Sequence, residues 1–158
     1  RGTTVDVVIP LSVYGVIISP EPENYPDKDY DFTGKHILVA EDNALNVEIL
    51  KYLLTEKHFE TDFAADGLQA LQMFSSSPVY YYSCILMDIK MPNMDGLEAS
   101  SKIRHLIRTD AASLPIIAMS AGSSSEDVQA VFSSGMNEHL IKPVDPNRLF
   151  YTLNKYIR

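Results

Sequence analysis

From Lys35 to Arg158 the chain alternates short apolar runs with segments of helical periodicity, and it does so five times. The runs are His36–Ala40, Thr61–Ala65, Ser83–Asp88, Leu114–Met119 and Glu138–Ile141. Each has the length of a strand rather than a helix. Between the runs, Val47, Leu50 and Leu54 recur at i, i+3 and i+7. Val128, Val131 and Phe132 repeat at helical spacing, as do Leu149, Leu153 and Tyr156. Apolar strands separated by helices pair in parallel, with helices covering both faces of the sheet. Right-handed crossovers then predict an α/β doubly wound (βα)5 fold, with a five-stranded parallel sheet in the order 2-1-3-4-5. Asp42 or Asn43 is positioned to cap the first helix. The second helix is expected after the Asp66-Gly67 turn and through Phe74, the third from Gly96 to about Arg108, and the fourth over Ser123–Ser134. Pro143 and Pro146 lead into the last helix.

Three acids end two of the strands. Asp88 follows Cys84-Ile85-Leu86-Met87 and precedes a loop bearing Pro92 and Gly96, while Glu41 and Asp42 follow Ile37-Leu38-Val39-Ala40. In the predicted order the first and third strands are neighbours at the switch point, where open α/β sheets hold ligands. Three carboxylates so placed raise one another's pKa and need a cation to stay ionised together. Mg²⁺, which prefers a few carboxylates, retained waters and a phosphate oxygen, fits that requirement.

Charge and composition narrow the function classes. The balance is 13 − 21 = −8, the wrong sign for a nucleic-acid groove that must neutralise phosphates. Cys84 is the only cysteine, so no disulfide forms within the chain, which suits a cytoplasmic location. No apolar stretch reaches the roughly 18 residues of a membrane span, so no membrane contact is expected of this segment. Residues 5–18 are apolar but broken by Asp6, Pro10 and Gly15, without a cleavage pattern for a signal peptide. Residues 19–34, SPEPENYPDKDYDFTG, carry three prolines and many acids and read as a linker.

Residues 35–158 resemble the receiver domain of two-component response regulators, a flavodoxin-like family. The resemblance rests on ILVAEDN, ILMDIKMPNMDG, IIAMSA and HLIKP, in the family's order and each at a strand end. It implies that Asp88 is the phosphoacceptor, attacking a phosphoryl group to give an acyl phosphate. It also implies that Asp42 binds Mg²⁺ directly, that Glu41 does so through water, and that the backbone carbonyl of Lys90 is a further ligand. Ser120 would be the switch hydroxyl, and Lys142, followed by Pro143, would contact the phosphoryl oxygens. The donor would be a phosphohistidine of a histidine kinase, the onward acceptor a histidine phosphotransfer protein, and the readout face the fourth helix, fifth strand and fifth helix. The sequence departs from the family at His139, where Tyr or Phe is usual beside the switch hydroxyl. Gly122 and Lys90, two residues after Ser120 and Asp88, flank the path of the hydrolysing water and leave the phosphoryl lifetime open.

Residues 2–11, within an N-terminal extension over 1–18, resemble the final strand of a sensor kinase's ATP-binding domain, with Val5, Val7 and Ile9 alternating. The EDNALN stretch is also similar to receivers fused to such kinases. Together they imply a hybrid histidine kinase as the parent, itself a candidate for membrane anchoring. The chain alone has no glycine-rich ATP loop and no phosphodonor motif around His36, His58 or His105. Two alternatives stay open. A haloacid-dehalogenase-type phosphohydrolase also uses a strand-end aspartate, but wants a second Asp where Lys90 stands. A pseudo-receiver would keep the fold as a binding module without phosphorylation.

Overall fold

The computed structural model describes residues 24–26 and 28–157; the expectations for residues 1–18 lie outside them. Strands β1 (His36–Ala40), β2 (Glu60–Ala64), β3 (Cys84–Asp88), β4 (Ile116–Ser120) and β5 (Glu138–Ile141) alternate with helices α1 (Ala44–Glu56), α2 (Gly67–Ser76), α3 (Gly96–Arg104), α4 (Ser125–Ser133) and α5 (Pro146–Tyr156). The sheet is parallel, in the order β2-β1-β3-β4-β5, as predicted.

The central strands β1, β3 and β4 are largely apolar on both faces because each face is covered. The edge strands carry polar residues, Glu60-Thr61-Asp62 in β2 and Glu138-His139 in β5. Leu38, Ala40, Ile85, Met87, Ile116 and Ala118 pack under Phe74 of α2, Ile103 of α3 and Val131 of α4. Their alternates Ile37, Val39, Cys84, Leu86, Ile117 and Met119 pack under Leu50 and Leu54 of α1 and Leu149 and Leu153 of α5. Alternation with period two in strands buried from both sides leaves these three with no polar face. Leu86 is fully buried at the centre of the second layer. Leu86→Ala is expected to cost about 2–5 kcal/mol of unfolding free energy in urea titration, and a loss below about 1 kcal/mol would contradict that placement.

Helix starts follow local chemistry. Asn43, Asp66, Asp95, Ser124 and Asp145 each accept a backbone N–H from the first turn of their helix. Asn43, not Asp42, caps α1, which leaves the Asp42 carboxylate for other work.

Helix ends follow tertiary contacts. The third helix was expected to reach about Arg108 but stops at Arg104. Arg104 donates to the carbonyl oxygens of Gly135 and Ala111 and to Asn137 Oδ1. Arg108 turns the other way, onto the carbonyl oxygens of Phe74, Ser75, Ser77 and Pro78 at the end of α2, and pairs with buried Asp110. No single helix could present both arginines to those opposite partners. Strand β4 begins at Ile116, two residues later than expected, and extends to Ser120. The described end of the presumed linker contributes to the core: Phe32 is buried and stacks on Phe59 at 4.3 Å.

Candidate functional site

The register of β1 on β3 pairs Ala40 with Met87, so the residues that follow, Glu41 and Asp42, emerge beside Asp88. One carboxylate oxygen from each of the three lies within 4.8 Å of the others. Glu41 and Asp88 are buried, and Asp42 is exposed. Glu41 Oε1 accepts from the Asn43 backbone N–H at 3.1 Å and from Asn46 Nδ2 at 3.2 Å. Its Oε2 accepts from Lys142 Nζ at 2.6 Å.

Lys142 reaches the acids from the far side of the sheet's carboxyl edge. Its backbone N–H donates to the Ser120 carbonyl at 2.7 Å, and the Lys142–Pro143 peptide bond is cis. Its ammonium lies 3.0 Å from Asp88 Oδ2. Burial works against its charge, but the hydrogen bonds to Glu41 and Asp88 outweigh burial and raise its pKa. Burial pushes the Asp88 carboxyl above the ordinary carboxylate value; Lys142 and the backbone of Lys90 oppose that rise and the charge of Glu41 adds to it. One ammonium thus faces three carboxylates in a partly desolvated site. The excess negative charge and the all-oxygen donor set suit a hard divalent cation.

The loop from β3 to α3 closes tightly under Asp88. Gly96 donates its N–H to the Ile89 carbonyl at 2.8 Å. A Cβ at Gly96 would run into the Asp88 backbone, so a side chain there would push the phosphoacceptor candidate out of register. Asp88, Lys90, Ser120, Gly122, Asp127 and Lys142 line one cavity of about 230 Å³. Ser120 ends β4, where its hydroxyl donates to the Gly122 carbonyl at 3.0 Å and lies 2.7 Å from His139 Nε2.

The residues expected at the site are therefore neighbours around one cleft: Glu41, Asp42, Asp88 and Lys142 around the acids, with Lys90 and Ser120 on the cavity wall and His139 behind Ser120. Two residues were not foreseen. Asn46 orients Glu41 from one turn into α1; its only sequence signal was its place in EDNALN. Asp127 faces the cavity from α4, where it also accepts from the Ser124 hydroxyl; its Ser-x-x-Asp spacing signalled a helix start and nothing more.

Residues 37–154 match the sequence profile of the response regulator receiver domain. The chain is 39% identical over 123 residues to hybrid signal transduction histidine kinase I of Dictyostelium discoideum, a match spanning 77% of this chain and 7% of that protein. It is 31% identical over 152 residues to the autoinducer 2 sensor kinase/phosphatase LuxQ of Vibrio parahaemolyticus, covering 94% of this chain and 17% of that protein. The chain thus spans a small fraction of these relatives. Among solved structures, the receiver domain of a Pseudomonas aeruginosa sensor histidine kinase superposes with a TM-score of 0.70 at 31% identity, covering 78% of this chain and 98% of that one. That structure holds a magnesium ion coordinated in its active-site cleft. A chemotaxis response regulator of Vibrio cholerae gives a TM-score of 0.71 at 26% identity, over 79% of this chain and all of that one.

Proposed function

The chain belongs to the response regulator receiver domain family of two-component signalling systems, and from that premise we propose that it accepts a phosphoryl group on Asp88 and changes its partner binding as a result. The observation that carries this reading is the buried Asp88 carboxylate, paired with Lys142 and within 4.8 Å of Glu41 and Asp42 oxygens. An Asp88 oxygen attacks phosphorus, an O–P bond forms, and the bond from phosphorus to the donor's imidazole nitrogen breaks. The electron pair leaves with the imidazole. Asp42, Glu41, Asp88 and the Lys90 carbonyl are the residues that would hold magnesium. When bound, the ion supplies positive charge against the carboxylate and phosphoryl oxygens.

Lys142 holds a second positive charge on the opposite side and moves with the phosphoryl oxygens from its present partners. Ser120 donates its hydroxyl proton to one of those oxygens. Charge-assisted bonds of this kind are roughly twice as strong as neutral ones, and they bias the domain toward the form in which the loops after β4 and β5 have moved. Lys142→Ala is expected to leave a protein that labels with acetyl phosphate but shows little phosphorylation-dependent change in partner affinity. An unaltered change would refute the role given to Lys142.

The parent is proposed to be a hybrid histidine kinase acting in the cytoplasm, with its phosphohistidine as donor and a histidine phosphotransfer protein as the onward acceptor. A protein-borne histidine must come within bonding distance of Asp88, so its carrier has to lie against the mouth of the cleft. Leu45, Ile49 and Tyr52 on α1 are exposed at i, i+4 and i+7. Ile49 lines the same groove as Glu41, Lys142 and Pro143. By contrast, the expected readout face of α4, β5 and α5 contributes only Ile141 to the exposed large apolar side chains among the described residues. The partner's histidine-bearing face is therefore assigned to α1. Replacing both Ile49 and Tyr52 with Ser is expected to slow transfer from a phosphohistidine protein about ten-fold and to leave labelling by acetyl phosphate unchanged. Equal loss with both donors would place the defect in the site rather than the docking face.

The phosphohydrolase alternative is not favoured: Lys90 stands where that chemistry needs its second acid. Sustained turnover of a phosphate ester, measured as released phosphate well beyond one equivalent, would revive it.

A further inference from the structure

The cavity beside Asp88 contains a carboxylate with no part in phosphoryl uptake. Asp127, from the first turn of α4, lines the same space as Asp88, Lys90 and Gly122. Its position is fixed from two sides. Ser124 Oγ donates to Asp127 Oδ2 at 2.7 Å and accepts the Asp127 backbone N–H at 3.1 Å. A Cβ at Gly122 would run into the same Oδ2, so the carboxylate lies over a residue with no side chain to push it away. With Oδ2 committed to Ser124, Oδ1 is the oxygen left to accept from a molecule in the cavity. Hydrogen bonding from Ser124, with the charge of Lys90 adding to it, holds the Asp127 carboxyl below the ordinary carboxylate value. The group is therefore ionised at neutral pH and acts only as an acceptor. The cavity, of about 230 Å³, has room for a phosphoryl group and a few waters, each of which takes about 30 Å³ in the liquid.

We propose that Asp127 holds and deprotonates the water that removes the phosphoryl group from Asp88, which makes it a catalytic residue of dephosphorylation. This inference rests on the phosphoacceptor reading of Asp88 and concerns loss of the group rather than its uptake. A water that donates one O–H to Asp127 Oδ1 presents its lone pair to a phosphoryl group on Asp88, held in place for attack. The water oxygen bonds to phosphorus, the proton it shares with Asp127 passes to that carboxylate, and the bond from phosphorus to the Asp88 oxygen breaks. The electron pair returns to the Asp88 carboxylate, inorganic phosphate leaves, and Asp127 loses its proton to solvent. Because the leaving group is a carboxylate, a weak base suffices. A second carboxylate beside a phosphoryl group would by itself repel it. The Lys90 ammonium, on the same cavity and close enough to act on Asp127, offsets that charge.

The test follows loss of the phosphoryl group from the whole chain, labelled with acetyl phosphate and magnesium and then separated from the donor. General bases contribute roughly 10²–10⁴-fold and the Asn carbonyl can still hold a water, so Asp127→Asn is expected to prolong the label about ten-fold. The amide oxygen still accepts from Ser124, so the start of α4 is kept. Gly122→Ala, whose methyl would meet a side-chain oxygen rather than backbone, is expected to prolong the label as well. In an Asp127→Asn background it is expected to add nothing. An unchanged lifetime in Asp127→Asn would overturn the proposal. So would a Gly122→Ala effect of equal size in both backgrounds, which would show the methyl itself obstructing the water. Beryllofluoride, a phosphoryl mimic, separates chemistry from repulsion. Binding tightened in Asp127→Asn by as much as the label is prolonged would mean that the carboxylate merely repels the group, and would also overturn the proposal. A wild-type chain that takes no label refutes the phosphoacceptor reading itself; a chain that labels, with a lifetime indifferent to Asp127, refutes only this assignment.

Discussion

Asp88→Asn is expected to abolish labelling by acetyl phosphate. The amide keeps the shape of the carboxylate but is no nucleophile toward phosphorus, and no other acid sits in the same place: Glu41 is held by Asn43, Asn46 and Lys142, and Asp42 is exposed at the rim. The same variant makes a second, independent statement about energetics. Burial raises the Asp88 pKa, so the native state binds that proton more tightly than the unfolded chain does. A raised native pKa favours folding below the unfolded value and is a burden on folding once pH exceeds the native value. Removing the ionised group should therefore leave the metal-free protein at least as stable as wild type near neutral pH, with Lys142 still paired to Glu41. A phosphorylated Asp88→Asn protein would refute the site assignment. A clearly lower unfolding midpoint would show that the carboxylate stabilises the fold rather than straining it.

Asp42→Asn is expected to weaken magnesium binding at least ten-fold, roughly the smallest loss seen when even the outer partners of metal ligands are removed. Asp42 is exposed and does not cap α1, so folding should be changed by less than about 0.5 kcal/mol. The chain has no tryptophan, which makes calorimetry or NMR the natural way to follow the titration. Glu41→Gln should weaken the metal less directly, since Asn43, Asn46 and Lys142 already occupy its oxygens, but it also strips Lys142 of its 2.6 Å partner. The two variants thus separate an acid that faces the cleft from one that organises it. Unchanged magnesium affinity in Asp42→Asn would remove the reason for three acids at one end of the sheet.

What could be read in advance follows from which interactions are local. The strands were legible because a sheet covered on both faces demands runs such as Ile37-Leu38-Val39-Ala40 and Cys84-Ile85-Leu86-Met87, and their order followed from the crossover rule. The acids were legible because they end those runs. The start of α3 at Gly96 was legible too, but its end was not: it is set by Arg104 and Arg108, whose carbonyl partners lie about thirty residues away or on other elements. Phe32 was hidden by its acidic and proline-rich neighbours, although its burial depends on the ring of Phe59 rather than on local composition. At the site, the pairing of Lys142 with Glu41 spans 101 positions. Only the resemblance placed Lys142 near the phosphoryl group; its hold on Glu41 needed coordinates. The bond between Ser120 and His139 was equally out of reach, because a histidine in a strand gives no sign of which ring nitrogen it offers or to what.

The most direct test is to find the phosphoryl group itself. Wild-type protein incubated with acetyl phosphate, with and without magnesium, can be reduced with borohydride, which converts an aspartyl phosphate to homoserine, and then digested and sequenced by mass spectrometry. The predicted result is homoserine at position 88 alone, formed only when magnesium was present. Homoserine at another acid, or an unmodified Asp88 under conditions that saturate the metal, would contradict it.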